Sequence, residues 1–412
     1  MAKLSRNAAI AVGLLLAGPG LRVVPVPIAG AAQENKTDGP CGTTALPPAD
    51  VMIAADRSGN VFLSERTKHT VLKIAPDGKV TTVAGTGTRG SSGDGGPATA
   101  AALGTVSGLV ADAAGNLFIA ETGSPRIRKV TPSGTITTVA GNGAAKVSGD
   151  GGPAAAASLC SPIGLAVDGA GNLFIASGTG VGEDSMLAGD YRVRKVTPAG
   201  VITTFAGTGA IPWRPSMVES ALVDGDRATA NPISPRNIAA DASGNLYLSG
   251  HRIVYKVTPA GSVTRFAGKA AEPGETPRYP GDGKPAVTAI FLSIGGLTVD
   301  SSGNLIIWEN SSDGYDIRKV SPAGIITTVA DSGSFGPRRD NASGTTWNTL
   351  NRALSRPPAA SIAADGAGNV FILDVGANPA TITGVPVQDR VLLKWIRRIS
   401  PDGKISVLAT IP

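Results

Sequence analysis

A set of acidic residues stands where it could converge on one surface of this chain. Glu65, Glu121, Glu309 and Asp374 each close a short apolar run, at the position that Ser177 and Gly250 take in two sister runs. Asp94, Asp150, Asp224 and Asp282 each precede a glycine in the linkers between such runs. Carboxylates gathered at one mouth are a donor set for a hard cation such as Ca²⁺, which takes about six to eight oxygens. That arrangement would suit a metal-assisted lyase or hydrolase. The plainer expectation is that each carboxylate serves its own turn. Asp94-Gly95 runs into Pro97-Ala98-Thr99-Ala100-Ala101-Ala102, the start of one short helical turn that an Asp can cap. Repetition favours this second reading, because a unique metal site is asymmetric whereas a turn device recurs.

The rest of the chemical inventory is sparse. His69 and His251 are the two histidines, Cys41 and Cys160 the two cysteines. There is no Gly-x-Ser-x-Gly elbow, zinc-type cysteine pair or phosphate-cradling Gly-Lys-Ser. No residue is expected to be catalytic, and no cofactor is expected unless the carboxylates hold Ca²⁺.

The elements that must position these groups are short strands. From Ser107 to Gly141 the chain reads SGLVADAAGNLFIAETGSPRIRKVTPSGTITTVAG. Asp112-Ala-Ala-Gly115-Asn116 separates two apolar runs and predicts a tight hairpin, since Gly and Asn tolerate positive φ and Asp bonds nearby N–H groups. A basic run, Arg126 to Val130, and a Thr-rich run, Thr135 to Val139, flank the turn Pro132-Ser133-Gly134. Four antiparallel strands in about 35 residues make one propeller blade. The hairpin signature recurs at Asp56, Asp112, Asp168, Asp241, Asp300 and Asp365, and the second turn at Pro76, Pro132, Pro198, Pro259, Pro322 and Pro401. The expected fold is therefore all-β, a six-bladed β-propeller of four-stranded antiparallel blades over residues 48–412. The basic strand positions Arg126, Arg128, Lys129, Arg192, Arg194, Lys195, Arg318 and Lys319 are expected on solvated faces, paired with local carboxylates. With no strand visibly shared between its ends, the ring is expected to close by packing.

The Asp-x-x-Gly-Asn-Leu-Phe-Ile, Arg-Ile-Arg-Lys-Val and Thr-Thr-Val-Ala-Gly runs resemble the NHL-repeat family of β-propellers. The linkers Gly93-Asp94-Gly95-Gly96-Pro97-Ala98 and Gly149-Asp150-Gly151-Gly152-Pro153-Ala154 resemble those of bacterial exported and teneurin-type NHL arrays. The resemblance implies a fold rather than an activity, because such propellers host binding modules and several enzymes. Propeller lyases of hydroxyglycine peptides hold zinc with three histidines, more than this chain has. Lactonase-type propellers hold Ca²⁺ with Glu, Asn and Asp in the channel. The inner strands here are mostly small or aliphatic, and Asn237 is the one amide among them.

In a propeller the loops from second to third strand and the blade-to-blade linkers share one face. Insertions there, Gly178 to Tyr191, Ala210 to Pro235 and Ser332 to Pro358, carry Trp213 and Trp347 among other large side chains. Loops on a rigid scaffold are where recognition concentrates. The terminal stretch 1–31 has Lys3 and Arg6, an apolar run from Ala8 to Ala17, and Ala29-Gly30-Ala31, the pattern of a secretory signal peptide. Residues 32–47 read as a polar arm, and Cys41 with Cys160 is a disulfide candidate, as an exported protein favours. The chain carries a formal charge of +6, which falls to +3 without Lys3, Arg6 and Arg22; nucleic acid is not an expected partner. The resulting expectation is a secreted or periplasmic binding scaffold for a protein, peptide or glycan, with no membrane span in the mature chain.

Overall fold

The computed structural model describes residues 51–178, 190–209, 224–235, 237–269, 282–311, 314–330, 362–377 and 392–411. Cys41, Trp213 and Trp347 lie outside the described residues, as does the side chain of Asp374. Blade 2 consists of Thr105–Ala111, Leu117–Thr122, Arg126–Val130 and Ile136–Ala140, paired antiparallel in that order. Its sisters begin with the inner strands Ile53–Ala55, Pro162–Val167, Asn237–Ala240, Ser293–Val299 and Ile362–Ala364. Each blade forms its own sheet. The described residues hold no α-helix, and thus none long and apolar enough to cross a membrane.

The hairpins form as their sequence requires. In blade 2, Asp112 Oδ1 accepts from the N–H groups of Ala114 and Asn116 at 2.9 and 2.8 Å, and Oδ2 accepts from the Asn116 amide at 2.7 Å. Gly115 sits at φ +79°, where a side chain would be strained. The same Asp-to-Asn bond recurs at Asp56, Asp168, Asp241, Asp300 and Asp365. Second strands are buried on both faces, as Leu117 to Glu121 is throughout, because neighbouring blades pack against each side. Outer strands are half polar: Val80, Thr81 and Thr82 are exposed while Ala84 is buried.

Two features were not visible in the sequence. Every blade carries a β-bulge between its third and outer strands, at Val71/Leu72, Ile127/Arg128, Val193/Arg194, Val254/Tyr255, Ile317/Arg318 and Ile396/Arg397. A bulge re-aims the side chain at the slip and steepens the twist. Second, each described linker adds a bridge to the outer edge of the blade it leads into: Pro97 to Thr135, Pro153 to Val201, Arg227 to Ser262, and Lys284–Pro285 to Ile326 and Ile325. These linkers cover edge N–H and C=O groups that would otherwise stay open to pairing with another chain.

The first and last blades share one apolar cluster. Val51, Ile53, Val61, Leu63 and Ile74 pack with Ala363, Phe371, Leu373, Ile396 and Ile411. Among the described residues the ring therefore closes by packing, without a shared strand. The junction is tight: a Cβ added at Gly366 would lie 2.7 Å from the carbonyl oxygen of Arg57. Gly366→Val is expected to lower stability by about 1–3 kcal/mol. The matching substitution Ala113→Val, at an exposed position of blade 2, should leave the thermal midpoint nearly unchanged. Equal midpoints for the two variants would argue against a close-packed junction.

Candidate functional site

The linker face is where the acidic candidates could converge, and each one described is instead engaged within or beside its own blade. In blade 2, Arg128 donates from Nε and Nη2 to Asp94 Oδ1 at 3.1 and 2.8 Å, and from Nη2 to Ser92 O at 3.2 Å. Arg194 of blade 3 donates to Asp150 through Nε at 3.0 Å and to the carbonyls of Ser158 and Ser148, each at 2.9 Å. In blade 5, Arg318 reaches Asp282 at 3.4 Å. The aspartates also grip the outer strand. Thr204 N–H donates to Asp150 Oδ2 at 3.0 Å, Arg265 N–H to Asp224 Oδ1 at 2.7 Å, and Thr328 N–H to Asp282 Oδ1 at 2.8 Å. Each linker aspartate is a clasp that fastens the incoming chain to the blade it enters.

Two expectations are corrected here. The three-residue 3-10 turns at Ala98–Ala100, Ala154–Ala156, Ala228–Ala230 and Ala286–Thr288 do form, but none has a side-chain cap. Pro97, Pro153, Arg227 and Pro285 hold the cap positions, and the aspartates are drawn to the arginines instead. Nor are the third-strand arginines solvated. Arg128, Arg194 and Arg318 are almost fully buried (0–1 % exposed), because each stands across from a fully buried isoleucine of the second strand, Ile119, Ile175 or Ile307. The lysines are half-buried, and Lys129 and Lys195 set their ammonium groups about 6 Å from the rings of Phe118 and Phe174.

The carboxylates that end the second strands lie deeper. Glu121 Oε1 accepts from Gly104 N–H at 2.9 Å, and Oε2 stands 3.7 Å from Arg128 Nη1. Glu309 Oε1 accepts from Arg318 Nη1 at 3.1 Å. Glu65 accepts from Lys68 Nζ at 2.8 Å and the Thr70 hydroxyl at 3.1 Å. Burial disfavours the charged form. It pushes the carboxyl of Glu309 up to about 7 against the pull of Arg318, with Asp316 adding to the rise. Burial also raises Glu121, where the Gly104 N–H and Arg128 oppose it. Asp150 goes the other way. Burial acts to raise it, but the Thr204 hydroxyl and Arg194 together hold it below the ordinary aspartate value.

Blades 3 and 4 depart from this pattern. Ser177 replaces the glutamate in blade 3, and Asp190 pairs there with Arg192 at 2.7 Å. Blade 4 has neither ionic partner: Gly250 stands where the glutamate would be, and buried Tyr255 where the arginine would be. The two positions vary separately elsewhere: blade 3 keeps Arg194 without the glutamate, and blade 1 keeps Glu65, bonded to Lys68 and Thr70, with Leu72 at the arginine position. Among the described residues no group of three or more His, Cys, Asp or Glu is placed to hold a metal ion. Asn237, on the inner strand of blade 4, donates its amide to Ser249 Oγ at 3.0 Å.

Residues 142–376, more than half of the chain, match the family model of the teneurin NHL domain. The chain belongs to that family. Curated relatives include teneurin-3 of Mus musculus, 27% identical over 286 residues that cover 64% of this chain and 10% of that protein. Teneurin-4 of Mus musculus is 25% identical over 288 residues, again 64% of this chain and 10% of the relative. The NHL chain therefore spans about a tenth of the length of these relatives. Among solved structures, a catalytically inactive virginiamycin B lyase from Staphylococcus aureus with quinupristin covers 91% of this chain and 85% of its own, at 14% identity and a TM-score of 0.42. A gluconolactonase from Xanthomonas campestris covers 74% and 88%, at 17% identity and a TM-score of 0.38. At these values the likeness is one of fold alone.

The NHL residues that sequence reading undervalued are the buried arginines. The sequence carried little signal for them: blades 2 and 5 have both Glu121 or Glu309 and Arg128 or Arg318, and blade 4 has neither, but blade 1 has Glu65 with Leu72 and blade 3 has Arg194 with Ser177.

Proposed function

We propose that this NHL domain is an exported, non-catalytic scaffold that binds a protein, peptide or glycan through its linker face. The observation that carries the reading is the engagement of the repeated acids. Asp94, Asp150, Asp224 and Asp282 fasten linkers, and Glu65, Glu121 and Glu309 are bonded within their own blades. What then differs from blade to blade on that face is the set of long insertions, which include Trp213 and Trp347. Large aromatic anchors of this kind carry much of the energy of a typical interface. Export rests on the signal-like stretch 1–31, and the secreted protein should begin at Ala32 by intact mass.

Trp213→Ala and Trp347→Ala are expected to weaken capture of a partner from extracellular material by tenfold or more without moving the thermal midpoint. Unchanged capture would remove the linker face from consideration. The second reading, a metal-assisted lyase or hydrolase, draws on Glu309, whose raised carboxyl pKa lies in the range of a general acid or base. Metal analysis with a thermal-shift series in Ca²⁺ and chelator separates the two. A stoichiometric metal and several degrees of stabilisation would favour the enzyme.

A further inference from the structure

The outer strands show what their edges accept. In blade 2 the linker lies antiparallel on the edge: Gly95 N–H donates to Ile136 O at 2.8 Å, and Ile136 N–H to Gly96 O at 3.1 Å. Blade 3 repeats both bonds between Gly151–Gly152 and Ile202, at 2.8 and 3.1 Å, and blade 4 between Gly225–Asp226 and Val263, at 2.8 and 2.9 Å. In blade 5, Gly283 donates to Ile326 O at 2.9 Å. An aspartate precedes each of these glycines. In blades 3, 4 and 5 it accepts the N–H two residues further along the outer strand, from Thr204, Arg265 and Thr328. The seated peptide therefore reads Asp-Gly-x-Pro-Ala, with Arg227 in place of proline in blade 4. Its first glycine has φ between +81° and +93° in blades 3, 4 and 5 and +82° in blade 2, a conformation that selects glycine.

Under these linkers the paired residue of the outer strand is buried: Ile136, Ile202, Val263 and Ile326 are 0–1 % exposed. The matching residue of blade 1, Val80, is 42 % exposed. It keeps the register of its sisters, across from Ile74 as Ile136 is across from Val130, so its N–H and C=O point off the sheet. Thr82, the counterpart of Thr204, is exposed too. Among the described residues no segment is seated on this edge. Blade 6 bounds it at one end, where a Cβ on Gly78 would lie 3.0 Å from Leu408 O. Val80 to Thr82 is thus an open strand edge of the kind that another chain can extend.

We propose that the outer edge of blade 1 is a docking site for a partner protein, which adds an extended Asp-Gly-x-Pro-Ala strand in trans. The partner's glycine N–H donates to Val80 O, the carbonyl of its next residue accepts Val80 N–H, and its aspartate accepts Thr82 N–H. Main-chain bonds supply the affinity, and the positive-φ glycine and the aspartate supply the selectivity.

A labelled peptide with the sequence of residues 93–103, GDGGPATAAAL, added to the full chain should bind saturably by fluorescence anisotropy. It should also slow amide hydrogen exchange in residues 79–84 at least tenfold. Alanine in place of the peptide's aspartate, or of the glycine that follows it, should weaken binding at least tenfold. Val80→Pro removes an N–H that points off the sheet and spares the blade's own ladder; it should abolish binding with the thermal midpoint little changed. No saturable binding, or equal binding of the alanine peptides, would overturn the proposal. Slow exchange in residues 79–84 before any peptide is added would overturn it as well, because the chain would then be covering the edge itself, for instance with Asp38-Gly39-Pro40.

Discussion

Arg128→Ala is expected to destabilise the protein by about 3–5 kcal/mol, the range for removing one partner of a buried ion pair. Arg128 is fully buried and faces three groups that depend on it: Glu121, also fully buried, the half-exposed Asp94, and the carbonyl of Ser92. Alanine leaves the buried Glu121 carboxylate to the Gly104 N–H and cuts the linker loose from blade 2. Arg194→Ala should cost less, because blade 3 has Ser177 in place of the glutamate and no buried carboxylate is orphaned at that strand end. Blade 4 supplies the control from within the same chain. The double variant Glu121→Gly, Arg128→Tyr copies Gly250 and Tyr255, and it should be more stable than Arg128→Ala alone. Urea unfolding curves read all three. A loss under about 1 kcal/mol for Arg128→Ala, or a double variant no better than the single one, would refute the clasp as an ionic device.

What the sequence made legible was what local chemistry decides. Asp112, Gly115 and Asn116 specify their hairpin within five residues, so six copies of that run fix the number of blades and their order. The exposed Thr-rich outer strands and the doubly covered second strands follow from residue type in the same way. The aspartates were misread because their partners are distant in sequence. Asp94 and Arg128 are brought together by a linker that lies along the outer edge of the blade it enters. That path leaves no mark in the alternation of apolar and polar residues. Without it, Arg128 reads as a solvated basic residue and Asp94 as a cap for Ala98–Ala100.

Stability should fall by an amount on the order of 3 kcal/mol as pH rises from about 4.5 to about 7, and Glu309→Gln should remove that part of the dependence. Glu309 is buried, and desolvation raises its folded pKa from 4.5 to about 7, Arg318 opposing and Asp316 assisting. Below pH 4.5 both folded and unfolded chains hold the proton, and the contribution is fully present. Between 4.5 and 7 the unfolded chain has lost it while the folded chain retains it, so each step up in pH favours unfolding. Above about 7 both forms are ionised and the contribution is gone. Glu121 and Asp190, raised first by burial, act in the same direction. Asp150 is lowered and acts oppositely, its contribution lost only as pH falls below the ordinary aspartate range. Subtracting the Glu309→Gln profile from wild type therefore isolates one group in a window where Asp150 is silent. A flat difference from pH 4 to 8 would mean that Arg318 holds Glu309 ionised at its ordinary pKa, and that the space between blades 4 and 5 is less desolvating than its burial implies.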